Sequence, residues 1–117
     1  MQINKNLKKL ISNPLRLAIT CHAVYSVYDY HNPATHSKII IKKIIRNYIN
    51  FKGLLISDDI SMKSLKYGLE ENAINALDAG CNLVLHCNGN IREISKLLKV
   101  IPKIDKFTQK KTSHFYK

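Results

Sequence analysis

A chain of 117 residues is one domain or a piece of one, well short of the roughly 250 residues that a full eight-unit β/α barrel needs. Its 19 lysines and arginines against 8 acidic residues give a formal charge of +11, but the basic residues are scattered without interleaved aromatic residues, so a solvated surface is expected and a nucleic-acid footprint is not. Three cysteines with no CxxC spacing point away from a disulfide framework or a zinc site, and no apolar span of roughly 18 residues or signal-peptide pattern opens the chain, so a reduced cytoplasmic protein, neither exported nor anchored in a membrane, is expected.

Asn4 to Ser12 place Leu7, Leu10 and Ile11 at helical spacing among lysines, and Asn13-Pro14 stops that helix. Leu15 to Thr20 is a mostly apolar run read as a first strand, with Cys21-His22 at its carboxyl end. Tyr25 to His36 carries Asp29, Asn32 and Pro33 without periodicity and reads as a long loop. Ser37 is a fair N-cap for a helix whose stripe is Ile40, Ile41, Ile44, Ile45 and Tyr48. Phe51-Lys52-Gly53 leads into Leu54 to Ser57, an apolar run without alternation that describes a strand buried on both faces, and Asp58-Asp59 follow it directly.

After a loop through Gly68, Leu69 to Ala79 reads as a helix with Glu70 and Glu71 in its first turn and Gly80 as its C′ residue. Cys81 to Cys87 is a third apolar strand, followed by Asn88-Gly89. Asn90 opens a last helix, with Glu93 as capping-box partner and Pro102 at its end. From Lys103 onward the chain is basic and polar, without an apolar pattern, and residues 103–117 are expected to be a loosely ordered tail. Strand and helix alternate regularly, which predicts an α/β fold with parallel strands joined by right-handed crossovers.

Polar residues gather at the carboxyl ends of all three strands, where parallel α/β folds keep their chemistry. Asp58 or Asp59 could simply cap the next helix, but a helix needs one cap, so the second carboxylate calls for another explanation. His22 by itself reads first as a hydrogen-bonded structural histidine at a strand end. No GxGxxG follows the first strand and no GxxxxGK[ST] occurs, which argues against a dinucleotide or nucleoside triphosphate.

Four segments carry a resemblance to a known family. They are Thr20-Cys21-His22-Ala23-Val24-Tyr25, Asn32-Pro33-Ala34-Thr35-His36-Ser37, Phe51 to Met62 with its Ser57-Asp58-Asp59-Ile60-Ser61-Met62 core, and Ala79-Gly80-Cys81-Asn82 through Asn88. In this order and spacing they resemble the bacterial β-N-acetylhexosaminidases of glycoside hydrolase family 3, which remove N-acetylglucosamine during peptidoglycan recycling. The resemblance implies a partial TIM-like (β/α) barrel, its last three strand-helix units, with residues 1–102 as the C-terminal part of the catalytic barrel. It also implies Asp58 as the catalytic nucleophile of a retaining mechanism, Asp59 as a supporting carboxylate, and His22 and Met62 as lining the sugar pocket, with no cofactor and no metal. Asn82 stands where the family often has Asp.

The family's acid/base histidine lies on a K-H-x-P-G-x-G loop, and no such pattern occurs in residues 1–117. The expected partners are therefore an N-acetylglucosamine-containing muropeptide or glycan and a separately encoded N-terminal half that brings the acid/base. The alternatives are a non-catalytic truncated remnant and, from charge alone, a basic anion-binding module.

Overall fold

The computed structural model describes Lys5, Lys9 and residues 15–116. Three strands, β1 (Leu17–Ile19), β2 (Leu54–Asp59) and β3 (Leu83–Leu85), lie in the order β1-β2-β3 and are parallel throughout. Helix α1 (Ile39–Tyr48) connects β1 to β2, α2 (Leu69–Ala79) connects β2 to β3, and α3 (Ile91–Val100) and α4 (Lys106–Ser113) follow. This is the α/β alternation that the sequence predicts. The central strand explains its own composition: Leu54 and Leu55 are each 1% exposed, so both faces of β2 are covered and no alternation is needed.

The strands differ from the sequence reading at their ends. β2 runs on through Asp58 and Asp59, so both carboxylates belong to the strand. β1 and β3 are shorter than predicted, three residues each, and Cys81, Asn82, His86 and Cys87 fall outside β3. The register of β2 on β3 passes from Ile56 opposite Leu83 to Asp59 opposite Leu85, so one extra residue of β2 is taken up in a bulge beside the two aspartates. There the Leu85 N–H donates to the Ser57 hydroxyl at 2.9 Å, and the Ile60 N–H donates back to the Leu85 carbonyl at 2.9 Å.

Ser37 caps α1, its hydroxyl accepting from the Ile40 N–H at 3.1 Å. The helix is π-wound, shown by the Ile49 N–H donating to the Ile44 carbonyl five residues back at 2.8 Å. The wider turn spreads the predicted isoleucine stripe: Ile40 and Ile41 are buried, Ile44 and Ile45 half-buried, and Tyr48 is exposed. Asn50, with φ 61°, takes the left-handed turn that follows.

Gly53 then passes so close to β1 that a Cβ would stand 2.6 Å from the Arg16 carbonyl oxygen and 2.7 Å from Cζ of Phe51. Backbone cannot yield as a flexible side chain can. Gly53→Ala is therefore expected to destabilise the chain by about 1–3 kcal/mol, read as a lower urea midpoint with an unchanged slope.

Helix α2 has the predicted bounds, with Glu70 and Glu71 in its first turn and Gly80, φ 124°, at its end. Its inward residues Ala73, Ala76 and Ala79 are at most 1% exposed, small enough to bring the helix axis close to the sheet. Ala76 and Ala79 join Ile41, Phe51, Leu55 and Cys81 in one core cluster, and Ala73 joins Ile60, Leu65 and Leu97 in a second.

Asn90 caps α3 as predicted, its Oδ1 accepting from Arg92 and Glu93 N–H. The capping box does not form. Glu93 Oε2 instead accepts from His86 Nε2 and from Asn88 Nδ2, each at 2.7 Å, and the Asn90 N–H turns to Asn88 Oδ1.

The loosely ordered tail expected over 103–117 gives way to α4 at residues 106–113. Asp105 caps it by accepting from the Thr108 N–H at 2.6 Å, and the 1% exposed Thr108 receives a hydrogen bond from Asn82 Nδ2. Polar contacts rather than an apolar stripe hold this helix. For the predicted helix over 4–12, Lys5 and Lys9 are helical, while Leu7, Leu10 and Ile11 lie outside the described residues.

Candidate functional site at the carboxyl end of the sheet

The two aspartates that end β2 are neighbours in sequence and opposite in circumstance. Asp59 is strongly engaged: Oδ1 accepts from the Ser61 N–H at 3.1 Å and the Cys87 N–H at 3.3 Å, and the single Ser61 hydroxyl proton is shared between Oδ1 and Oδ2, each 2.8 Å away. Burial raises its pKa, but the Ser61 N–H, the Ser61 hydroxyl, the Cys87 N–H and His86 together outweigh it and hold the carboxyl below the usual carboxylate range. Asp59 is thus ionised and engaged in pinning the turn after β2.

Asp58 gives one oxygen to its own neighbour, Oδ1 accepting from the Asp59 N–H at 2.8 Å. Its other oxygen has no partner among the described residues, and the side chain is half-exposed at the strand end. Of the two carboxylates, this is the one with a lone oxygen to offer an external electrophile.

His22 bridges the ends of β1 and β2. Its Nε2 lies 2.8 Å from the Asp59 carbonyl, which can only accept, so Nε2 carries a proton, and its Nδ1 lies 2.8 Å from the Thr35 hydroxyl. The single Thr35 hydroxyl proton goes to the Cys21 carbonyl at 2.8 Å, the same oxygen meets the Thr20 hydroxyl at 2.9 Å, and Thr20 accepts from the Asp58 N–H at 3.3 Å. An unbroken chain of polar contacts therefore runs from His22 through Thr35 and Thr20 to the backbone of Asp58. Both ring nitrogens of His22 are committed, so it acts on Asp58 as a positioning residue and offers a ligand only its ring surface.

The four predicted site residues are brought to one end of the sheet but not into one hollow. Met62, 45% exposed, lines a depression of about 200 Å³ with Ser61, Lys63, Asn72 and Glu93, whereas His22 lines a separate one of about 50 Å³ with Asn32, Pro33 and His36. Asp58 lies on neither.

Sequence reasoning missed Thr20, Thr35 and Ser61. Ser61 was within reach of a local rule, since a serine two residues after an aspartate is a common partner for its carboxylate in a turn. Thr35 had no local signal, because its partners are 13 to 15 residues away.

The loop from β1 to α1 is held by Asp29. Its carboxylate accepts from the Ser37 hydroxyl at 2.7 Å, from the N–H groups of His31 and Asn32 at 3.1 Å each, and from Asn32 Nδ2. Ser37 above all holds the carboxyl below its ordinary value, against the opposing effect of burial. A depressed folded value means that the stabilisation is complete above about pH 4 and is lost as the pH falls through the folded value. Acid titration followed by amide exchange should therefore show residues 29–37 opening with Asp29, and Asp29→Asn should remove that step.

Among the described residues no group of three or more histidine, cysteine or acidic side chains is arranged to hold a metal ion, and no helix is long and apolar enough to cross a membrane. All three cysteines are free, and burial pushes the Cys81 thiol up to about 12.

Parallel strands joined by helices, with polar side chains gathered at the strands' carboxyl ends, are the arrangement of a β/α-barrel segment. Residues 5–113 match the family described as Glycosyl hydrolase family 3 N terminal domain. The chain belongs to glycosyl hydrolase family 3. It is similar to a beta-hexosaminidase of Photobacterium profundum, 35% identical over 115 residues, covering 92% of this chain and 34% of that protein.

Among solved structures it superimposes on native NagZ from Neisseria gonorrhoeae with a TM-score of 0.77 and 29% identity, over 93% of this chain and 31% of that one. The complex of the same NagZ with N-trifluoroacetyl-D-glucosamine gives 0.77 and 26% over the same shares. The chain thus spans between about a quarter and a third of the length of the curated relatives it matches.

Proposed function

We propose that this chain is the nucleophile-bearing part of a retaining β-N-acetylhexosaminidase, with Asp58 as the nucleophile and residues 1–102 as the C-terminal part of its catalytic barrel. The observation that carries this reading is the contrast at the end of β2: three donors from Ser61 and Cys87 engage the adjoining Asp59, whereas Asp58 accepts one hydrogen bond and keeps an unengaged oxygen at the strand end. The names of the relatives, beta-hexosaminidase and NagZ, and the N-trifluoroacetyl-D-glucosamine held by one of them supply the substrate class, a glycan bearing N-acetylglucosamine such as a muropeptide. We place the reaction in the cytoplasm, in peptidoglycan recycling; the three free thiols fit a reducing compartment.

In this reaction the Asp58 oxygen attacks the anomeric carbon as the bond to the leaving oxygen breaks, and an acid delivers a proton to that oxygen. Water, deprotonated by the same group, then cleaves the glycosyl ester and frees Asp58. The acid/base has no counterpart in this sequence, and general acid catalysis is worth on the order of 10²- to 10⁴-fold. A second chain would supply it.

The sheet is open for such a partner: among the described residues β1 and β3 each pair on one side only, and Leu17 and Ile19 on β1 are 45% and 62% exposed. The test is hydrolysis of a chromogenic N-acetyl-β-glucosaminide by this chain, alone and mixed with an N-terminal half bearing the acid/base loop. Turnover in the mixture alone supports the proposal. A folded complex without turnover makes the chain a remnant that keeps the fold and has lost the chemistry.

A further inference from the structure

We propose that the cleft between α4 and the amino-terminal end of the sheet is a second binding site, which takes a small multivalent anion. The cleft measures about 510 Å³, and its walls include Arg46, Lys52, Asn82, Asp105, Phe107 and Lys111. That volume lies within the range of small-ligand sites, roughly 300–1,000 Å³. It is distinct from the carboxylate site. Arg46 grips the residues that lead into β2 and β3, whereas Asp58 and Asp59 end β2, roughly 17 Å further along an extended strand.

The anion is called for by Arg46. Its guanidinium donates to the Phe51 carbonyl at 3.0 Å, the Gly53 carbonyl at 2.7 Å and Asn82 Oδ1 at 2.7 Å, all of them neutral acceptors. It lies 5.3 Å from the centre of the Phe51 ring and 5.8 Å from that of Phe107, so its flanks are covered by apolar surface. Among the described residues no carboxylate pairs with it, and burial disfavours its charge.

Asn82 cannot turn to help. Its Oδ1 also accepts from the Leu55 N–H at 2.8 Å, and its Nδ2 is engaged with Thr108. The Lys111 ammonium stands 5.6 Å from the centre of the same Phe107 ring, and Lys52 also lines the cleft. The one carboxylate in the cleft, Asp105, caps α4 through one oxygen and stays ionised, so it offsets one of the three cations and leaves a net positive cleft. Three cations around a half-apolar cleft, one of them a guanidinium with N–H groups still unused, are a receptor for a phosphate- or carboxylate-bearing molecule with more than one negative charge.

Pyrophosphate and citrate serve as probes of the full 117-residue chain, by calorimetry and by thermal midpoint, against sodium chloride at matched ionic strength. At least one of them is expected to bind saturably, one per chain, and to raise the midpoint by several degrees; which one does so assigns the ligand to the phosphates or to the carboxylates. Asn82→Asp places a carboxylate against Arg46 from within, so it should raise the midpoint without added anion and weaken probe binding at least about tenfold. Lys111→Gln, on α4, should weaken binding about threefold or more without lowering the midpoint. Binding of neither probe, an equal effect of chloride, or undiminished affinity in Asn82→Asp would each overturn the proposal.

Discussion

Replacing Asp58 with asparagine in the complemented enzyme is expected to lower kcat on the order of 10⁴- to 10⁶-fold while leaving the thermal midpoint within a degree or two of the parent. The first half of that expectation follows from chemistry: an amide oxygen cannot form a stable glycosyl ester, so the reaction loses its covalent route. The second follows from geometry. The amide that replaces the carboxylate can still present an oxygen to the Asp59 N–H, and no other described group depends on that side chain.

Asp59→Asn should do the reverse. An amide there turns an NH₂ toward Ser61 or the Cys87 N–H, donors that the carboxylate now satisfies, so a stability loss of about 1.5–3 kcal/mol is expected with a smaller, indirect loss of turnover. Azide sharpens the distinction. Attacking the anomeric carbon from the side that Asp58→Ala leaves empty, it should restore turnover and give a glycosyl azide of inverted configuration, and it should do nothing for Asp59→Ala. Rescue of Asp59→Ala instead would exchange the two roles.

The second large effect is expected at a residue with no chemistry of its own. Thr35 is fully buried, and its hydroxyl meets Thr20, His22 and the Cys21 carbonyl at 2.9, 2.8 and 2.8 Å. Valine has the same outline without the oxygen, so Thr35→Val strands a ring nitrogen, a carbonyl and a hydroxyl together. A loss of about 2–4 kcal/mol is expected from guanidinium denaturation.

Because Thr20 touches the Asp58 backbone, the same change should lower kcat of the complemented enzyme more than it raises KM. Thr35→Ser keeps the oxygen and should recover most of both. A valine variant as stable and active as the parent would show that the polar chain between β1 and β2 is incidental.

These two residues also mark how far the sequence can be read. The β2 run, the pair of aspartates and α2 with its caps were legible because what fixes them is local: burial on both faces, a charge at a strand end, a glycine at φ 124°. The inequality between Asp58 and Asp59 was not. It rests first on Ser61, two residues on, and is completed by the Cys87 N–H and His86, 28 and 27 residues downstream, which reach Asp59 alone with no local signal.

The capping box at Glu93 was a sound local reading that lost to tertiary contacts. His86 and Asn88 offer that carboxylate closer partners than the helix start does. α4 escaped notice because what secures it is Asn82 and Asp105, not a periodic apolar face.

Ser57 has a wider consequence. At the bulge in β2 its hydroxyl takes the place that a peptide carbonyl fills elsewhere in the ladder, accepting the Leu85 N–H at 2.9 Å. One join between the two strands is therefore written in a side chain, and the three letters Ser57-Asp58-Asp59 divide their labour: the first is carpentry, the second keeps an unengaged oxygen, and the third braces the corner. A designer who moved the aspartates to another parallel strand without the serine would transplant the carboxylates and leave behind the joint that holds them in place.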